Sequence, residues 1–151
     1  MSTVAAIAPA ILSVETLLGG RKVLQATPRS ALDWVSLIRQ GISSAAVEAL
    51  TKTLRVTQSE LASALGIPER TLARRKKEGT FNSDESAKLV RLARVVERAE
   101  DVFGDLNTAL DWLKSVNAAL LGATPLSMLD TDIGAENIMD TLGRIEHGVF
   151  A

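Results

Sequence analysis

The sequence predicts an all-α protein, and three observations indicate this fold class. Apolar residues recur at helical spacing in most segments of the 151-residue chain, and no segment alternates as a half-buried strand does. Glycines and capping residues separate those segments. The stretch Thr57–Lys77 has the pattern of a helix-turn-helix that ends in four consecutive cations. We therefore expect a helical protein built around a nucleic-acid-binding motif.

Two helices are expected before this motif. The segment 30–39 has apolar residues at helical spacing and ends before Gly41, and the segment 44–54 repeats the pattern. We predict that residues 1–40 form an N-terminal helical segment. This segment and the long helix from Asp84 are both candidates for a dimer contact. The apolar start of the chain is interrupted by Pro9 and lacks a preceding basic region, so neither a signal peptide nor a membrane span is expected.

Local signals define the helix-turn-helix. Thr57 and Glu60 have capping-box spacing, which starts the first helix. Gly66 can adopt the positive φ that the turn needs. Pro68 is expected at the first position of the second helix, where its missing N–H costs nothing. We place the DNA-binding domain at residues 41–82.

The exposed face of the second helix is expected to contact DNA. Residues near the start of such a helix reach base edges, and later cations meet phosphates. Arg70 and Arg74 are candidates for base readout, because arginine pairs bidentately with guanine. The predicted DNA-binding residues are Glu69, Arg70, Thr71, Arg74, Arg75, Lys76 and Lys77, the last three as phosphate contacts. The alternative is a solvated basic helix in an all-α domain.

A long apolar helix is predicted over residues 83–104, connecting the two halves of the chain. Ser83 is expected to cap it. Its Arg91, Arg94 and Arg98 form an i, i+3, i+7 stripe. This stripe has two interpretations, contacts with a DNA backbone or a solvated face.

Shorter helices are expected in the second half of the chain. Helical spacing recurs at residues 107–114 and 134–146, and a short helical turn is expected after Thr124 and Pro125. We therefore predict a small helical C-terminal domain over residues 105–151.

The net charge of −1 conceals a strong asymmetry between the two halves. Residues 1–99 contain 15 Lys or Arg against 9 Asp or Glu, whereas residues 100–151 contain 2 against 9. A basic half and an acidic half favour two partners of opposite charge. The alternative is a chance imbalance on solvated surfaces.

No pattern of residues indicates an active site or a metal site. The chain has no cysteine, which excludes disulfides and thiolate chemistry and fits a cytoplasmic protein. His147 is the single histidine, so one chain cannot form a histidine metal cluster, and we expect a structural position at a helix end. Trp34 and Trp112 are expected core anchors, with an interface role as the alternative for Trp112. We predict a binding protein without a cofactor, not an enzyme.

A succession of short motifs fills the second half. They are Phe103-Gly104, Ala109-Leu110-Asp111-Trp112-Leu113, Asn117-Ala118-Ala119-Leu120, Thr124-Pro125-Leu126, Leu129-Asp130-Thr131, Gly134-Ala135 and Leu142-Gly143-Arg144-Ile145-Glu146-His147-Gly148. As a set they resemble the C-terminal domain of the Xre/MbcA/ParS family of bacterial antitoxins. The segment Arg70-Thr71-Leu72-Ala73-Arg74-Arg75 also resembles that family's R-T-L-x-R-R signature. The resemblance runs from about Gly41 to the end.

This resemblance implies the antitoxin of a type II toxin–antitoxin system. The family's partner is usually a RES-domain toxin, which degrades NAD or transfers ADP-ribose from it. The antitoxin's C-terminal domain covers the toxin's active site, and its Xre/Cro-like helix-turn-helix domain binds its own promoter as an autorepressor. Readers of this kind bind paired half-sites, which predicts a homodimer. The alternatives are a stand-alone transcriptional regulator without a toxin, and an inhibitor whose helix-turn-helix no longer binds DNA.

The acidic half suits such a toxin, because a pocket that attracts the phosphates of NAD is expected to be electropositive at its mouth. The predicted toxin-binding residues are Trp112, Asp130, Asp140, Arg144, Glu146, Gly148, Val149, Phe150 and Ala151. We hypothesise that the short apolar tail after Gly148 enters or rims the toxin's pocket. The alternatives are that Phe150 folds back onto its own domain, or that the tail frays.

Overall fold

The computed structural model describes residues 12–148, which form nine α-helices and two 3₁₀ turns. The helices are α1 (Val14–Leu17), α2 (Gly20–Leu24), α3 (Ala31–Gln40), α4 (Ala45–Leu54), α5 (Gln58–Leu65), α6 (Glu69–Glu78), α7 (Ser83–Phe103), α8 (Leu106–Lys114) and α9 (Asp132–Glu146), with 3₁₀ turns at Ala118–Leu120 and Leu126–Met128. Within this part of the chain, extended pairing is limited to isolated bridges at Ser43–Thr80 and Asn117–Ala123. The predicted all-α class is confirmed.

Helix α7 lies at the centre of the core. It packs against α1, α3 and α5 from the first half and against α8 and α9 from the second. Leu89, Ala93 and Val96 on α7 are completely buried, and one continuous cluster of apolar side chains joins the two halves. Burial of this surface is the main force that holds the halves together. Neither α7 nor any other helix between residues 12 and 148 combines the length and apolar character needed to cross a membrane.

Helices α5 and α6 form the predicted helix-turn-helix. The Thr57 hydroxyl accepts a hydrogen bond from the Glu60 amide at 3.0 Å, and the Glu60 carboxylate accepts one from the Thr57 amide at 2.8 Å. This completes the predicted capping box. Gly66 ends α5 with φ of 72°, and Leu72 of α6 is fully buried. The capping and turn predictions are confirmed.

The residues that cap α6 and α7 each differ by one position from the prediction. Pro68 lies immediately before α6, not at its first position. Asn82, rather than Ser83, caps α7, because its side chain accepts a hydrogen bond from the Glu85 amide at 2.8 Å. The Glu85 carboxylate in turn accepts a hydrogen bond from the backbone N–H of Asn82 at 3.0 Å. A second capping box therefore fixes the start of α7.

Helix α9 begins at Asp132, two residues before the predicted start. Thr131 caps it by accepting a hydrogen bond from the Gly134 amide at 2.9 Å. The tight turn before α9 brings the carbonyl oxygen of Met128 so close to Gly134 that a Cβ atom there would overlap it. Glycine is needed at position 134 for space, and not for a positive φ.

The second half packs directly onto the turn of the helix-turn-helix. A Cβ atom on Gly66 would lie 2.9 Å from the backbone oxygen of Asp130. Lys88 of α7 donates a hydrogen bond to the Gly66 carbonyl at 3.1 Å. Helix α5 also packs against the 3₁₀ turn at Leu126–Met128. Gly66 therefore serves both the turn and a close approach between the two halves.

Candidate nucleic-acid and protein interfaces

Helix α6 presents most of its predicted DNA-binding residues on one accessible face. The exposed members are Glu69, Arg70, Arg74, Lys76 and Lys77, and Thr71 is half-buried. Leu72 anchors the opposite face in the core. The geometry of α6 is therefore compatible with insertion of this face into a major groove, and contact with DNA stays a prediction.

Two of these cations make intramolecular contacts that a DNA backbone can replace. The Arg74 side chain is 55% exposed, and its Nε lies 3.9 Å from a Glu78 carboxylate oxygen. The Lys76 ammonium donates to the side-chain oxygen of Gln58 at 3.0 Å. Exposed pairs of this kind contribute little to stability. Arg74 and Lys76 therefore remain candidates for DNA contacts.

Arg75 differs from its neighbours, because it faces inward beside Leu72. Its Nε donates to Glu85 Oε1 at 2.8 Å, and its Nη2 donates to Glu85 Oε2 at 3.2 Å. Its Nη1 donates to Glu78 at 2.7 Å, and only 20% of its side chain is exposed. These bonds tie α6 to the start of α7. The geometry favours a structural role for Arg75, and its contact with a phosphate stays a prediction.

Glu85 is the residue that sequence reasoning missed at this site. Burial by itself would raise the pKa of the Glu85 carboxyl, but hydrogen bonds from Arg75 and from the Asn82 amide lower it below the ordinary value. The carboxyl is therefore held ionised inside the interface between α6 and α7. The signal in the sequence was the spacing of Asn82 and Glu85, which matches a capping box.

Lys77 provides a test of phosphate contact by the exposed end of α6. If Lys77 neutralises one phosphate, Lys77→Ala reduces the slope of log affinity against log salt concentration by ~0.9, because one fewer counterion is released. We would measure binding to a promoter duplex at several salt concentrations. Lys22→Ala, which removes an exposed lysine from α2, is the control. An unchanged slope in Lys77→Ala would reject the phosphate assignment.

Two arginines of the predicted α7 stripe bind α9. Arg91 Nη1 lies 2.6 Å from Asp132 Oδ1, and Arg98 Nη2 lies 2.7 Å from Glu146 Oε1. A second bond joins Arg98 Nη1 to Glu146 Oε2 at 3.0 Å, which makes this pair bidentate. These pairs favour a structural role for Arg91 and Arg98 over a solvated face, and contact with DNA stays a prediction. Arg94 remains exposed.

The Arg98–Glu146 pair predicts a stability loss in acid. Hydrogen bonds from Arg98 lower the pKa of Glu146 below its ordinary value, against partial desolvation. A carboxyl whose pKa is lower in the folded state stabilises the fold above its unfolded-state pKa, and the contribution disappears as pH falls through the folded-state pKa.

We therefore expect Glu146→Gln to show a shallower fall of the unfolding midpoint than the parent chain between about pH 5 and pH 3. Thermal unfolding followed by circular dichroism at several pH values measures it. Asp140→Asn is the control, since Asp140 makes no ion pair within the described residues. Parallel curves for Glu146→Gln and the parent would contradict the assignment.

The other charged residues predicted to bind the toxin lie on exposed surface. Asp140 and Arg144 are one turn apart on the solvent face of α9, with Glu136 on the same face. Ile133 lies at the beginning of this face and is 82% exposed. Asp130 is exposed just before α9. Residues 136, 140 and 144 thus form a continuous accessible stripe. Glu146 lies on another face of α9, where it pairs with Arg98 of α7.

The remaining predicted residues have less accessible or undescribed positions. Trp112 is half-buried, and its ring lies 5.6 Å from that of Phe103 at a tilt of 44°. This packing favours the core-anchor interpretation of Trp112, and Trp34 is likewise half-buried against the core. Gly148 is exposed, whereas residues 149–151 lie outside the described residues. The tail hypothesis therefore stays a prediction.

Comparisons with known proteins place both halves in one group. Residues 33–94 match the family described as the antitoxin Xre-like helix-turn-helix domain. Residues 98–148 match the antitoxin Xre/MbcA/ParS C-terminal toxin-binding domain. Together these matches include α6 and the exposed stripe of α9.

Relatives that match about four-fifths of the chain agree with these family matches. The antitoxin Xre of Yersinia enterocolitica (serotype O:8, biotype 1B) is 35% identical over 119 residues, which cover 78% of this chain and 80% of the relative. The antitoxin Xre of Photorhabdus laumondii subsp. laumondii is 34% identical over 118 residues, which cover 77% and 80%. A Prs ADP-ribosylating antitoxin of a Sphingobium species is 24% identical over 132 residues, which cover 81% and 83%.

Proposed function

Because this chain belongs to the Xre family of antitoxins, with a helix-turn-helix domain followed by a toxin-binding domain, we propose that it neutralises a RES-type toxin that consumes NAD. It does so by covering the toxin's active site with residues 105–151. It also binds its own promoter as an autorepressing homodimer through residues 41–82. Helix α7 connects the two segments that carry these activities.

The exposed stripe of α9 is the observation that carries the toxin-binding proposal. Glu136, Asp140 and Arg144 share one solvent-facing side of α9, inside the segment that matches a toxin-binding domain. Asp132 and Glu146 are held by α7, so they contribute to the position of α9 instead. The two carboxylates of this stripe, Glu136 and Asp140, complement a pocket mouth that attracts phosphates, and such complementarity speeds association.

The chemistry of the toxin is supported by one relative. The Sphingobium relative is named as a Prs ADP-ribosylating antitoxin, and transfer of ADP-ribose uses NAD as its donor. This supports an NAD-consuming toxin as the partner of this chain.

The accessible face of α6 supports the promoter-binding proposal. Arg70 and Arg74 lie in the first turns of α6, where side chains of a recognition helix reach base edges. Lys76 and Lys77 follow at the end, where phosphate contacts are expected. Two copies of such a helix are needed to bind paired half-sites, which supports a homodimer.

The first test is the loss of cellular NAD. The protein encoded by the adjacent reading frame is expressed alone and together with this chain, and NAD and growth are followed. We expect NAD to fall with the neighbour alone and to recover when this chain is present. Chains truncated from residue 148 backwards then locate the inhibitory surface.

The proposal would be contradicted if the protein encoded by the adjacent reading frame lowers neither NAD nor growth and does not co-purify with this chain. The chain would then act as a stand-alone transcriptional regulator, and binding to the upstream promoter would become the activity to map. A chain that neutralises the neighbour but does not shift the promoter duplex would instead contradict the autorepressor part alone.

A further inference from the structure

The loop between α8 and the 3₁₀ turn at Leu126–Met128 presents a leucine entirely to solvent. Leu121 is 99% exposed, the highest value among the large apolar residues in the described part of the chain. Val116 in the same loop is 72% exposed. Single exposed apolar residues are common on protein surfaces, so exposure alone indicates no function.

The backbone of Leu121 gives a second, independent observation. Its φ and ψ are 57° and 36°, which lie in the left-handed region. This region disfavours residues with a Cβ atom, and glycine and asparagine adopt it more readily. Leucine at position 121 therefore has an unfavourable backbone conformation and buries no surface within its own chain. Gln25 and Arg55 have the same conformation at the ends of α2 and α4, but among the described residues Leu121 alone combines it with a fully exposed large apolar side chain.

The loop holds Leu121 in a defined position. The backbone N–H of Asn117 donates to the backbone carbonyl of Ala123 at 3.0 Å. The backbone N–H of Gly122 donates to the backbone carbonyl of Asn117 at 3.2 Å. The Asn117 side chain also accepts from the Ala119 amide at 2.9 Å. Leu120, next to Leu121, packs against the core and holds this part of the loop in place. Little ordering entropy remains to be lost when such a loop meets a partner.

From these observations we propose that Leu121 is an anchor that inserts into an apolar, side-chain-sized socket on the toxin. This inference rests on the proposed function and extends it, because it locates an anchor outside both α9 and the C-terminal tail. The loop lies within the segment that matches a toxin-binding domain, which favours the toxin as the occupant. A preformed apolar side chain that fills a pocket on the partner can contribute strongly to binding, because the pocket excludes water around it.

The variant Leu121→Asn separates an interface role from a structural one. Asparagine suits the left-handed conformation, so the free chain is expected to unfold at the same temperature as the parent or about a few degrees higher. The dissociation constant for the purified toxin, the adjacent-frame protein, is expected to rise at least about tenfold, because an amide does not fill an apolar socket. Leu121→Met keeps an apolar side chain and is expected to stay within about threefold of the parent.

The matched control is Leu32→Asn. Leu32 is 77% exposed on α3, outside the segment that matches the toxin-binding domain, and its replacement is expected to leave toxin affinity unchanged. Calorimetric titration gives the affinities, and analytical ultracentrifugation of each free variant gives the oligomeric state. Loss of self-association in Leu121→Asn with unchanged toxin affinity would overturn the proposal and assign the anchor to a second copy of the chain.

The failure of this inference is distinguishable from that of the proposed function. Equal toxin affinities for the parent and Leu121→Asn would overturn the anchor and leave the antitoxin function intact. A parent chain that does not bind the adjacent-frame protein would contradict the proposed function itself.

Discussion

Replacing Gly134 with alanine is expected to lower the free energy of unfolding by about 1–3 kcal/mol. The added Cβ atom would overlap the carbonyl oxygen of Met128 and lie 2.9 Å from the Thr131 hydroxyl that caps α9. Both neighbours belong to the tight turn, so neither can move without disturbing the helix start. Elsewhere in a helix the same replacement stabilises by up to ~1 kcal/mol, so the expected sign is opposite to that of helix propensity.

The control lies on the same helix. A Cβ atom on Gly143 would have open space around it, with no neighbouring side chain or turn within 4 Å, so Gly143→Ala is expected to stabilise the chain by up to about 1 kcal/mol. Urea unfolding followed by circular dichroism measures both variants. We expect toxin affinity to fall with Gly134→Ala, because α9 carries Asp140 and Arg144. A Gly134→Ala chain as stable as Gly143→Ala would show that the turn before α9 is not constrained.

Replacing Arg74 with alanine is expected to weaken binding to the promoter by about 1–3 kcal/mol, or roughly 5- to 150-fold, while leaving toxin inhibition unchanged. Its guanidinium lies on the exposed face of α6, where its Nε is 3.9 Å from a Glu78 carboxylate oxygen. A bidentate contact with one guanine is lost in the variant. The same experiment with Arg70→Ala tests the second candidate for base readout.

Two duplexes separate base readout from phosphate contact. If Arg74 reads a base, Arg74→Ala weakens binding to the promoter duplex much more than to a random duplex of equal length. An equal loss of affinity for both duplexes would indicate that Arg74 contacts a phosphate and not a base. Arg39→Ala, which removes an exposed arginine from α3, is expected to leave promoter affinity unchanged.

The parts of the fold that sequence predicted well depend on neighbours in the chain. The capping box of Thr57 and Glu60 and the glycine turn at Gly66 involve residues a few positions apart, so their spacing is visible in the sequence. The start of α7 was displaced because Asn82 and Ser83 are both good capping residues, and only the bond from Glu85 decides between them.

The parts that sequence could not predict depend on distant partners. Arg98 and Glu146 are 48 positions apart, and Arg91 and Asp132 are 41 apart, so neither pairing has a local pattern. Arg75 belonged to an uninterrupted run of cations, and only the packing of α6 on α7 shows that it faces Glu85. Charge runs therefore predicted which surfaces are charged, but not which charges bind other parts of the chain.

The contact between Gly66 and Asp130 bears on how toxin specificity can change during evolution. The turn of the helix-turn-helix and the toxin-binding half approach each other through backbone atoms, with no room for a side chain at position 66. A recombination event at Gly104 that imports a foreign second half would bring a new turn at position 130 against the original Gly66. We therefore expect an imported second half to fit only if its backbone at position 130 leaves the same space beside Gly66.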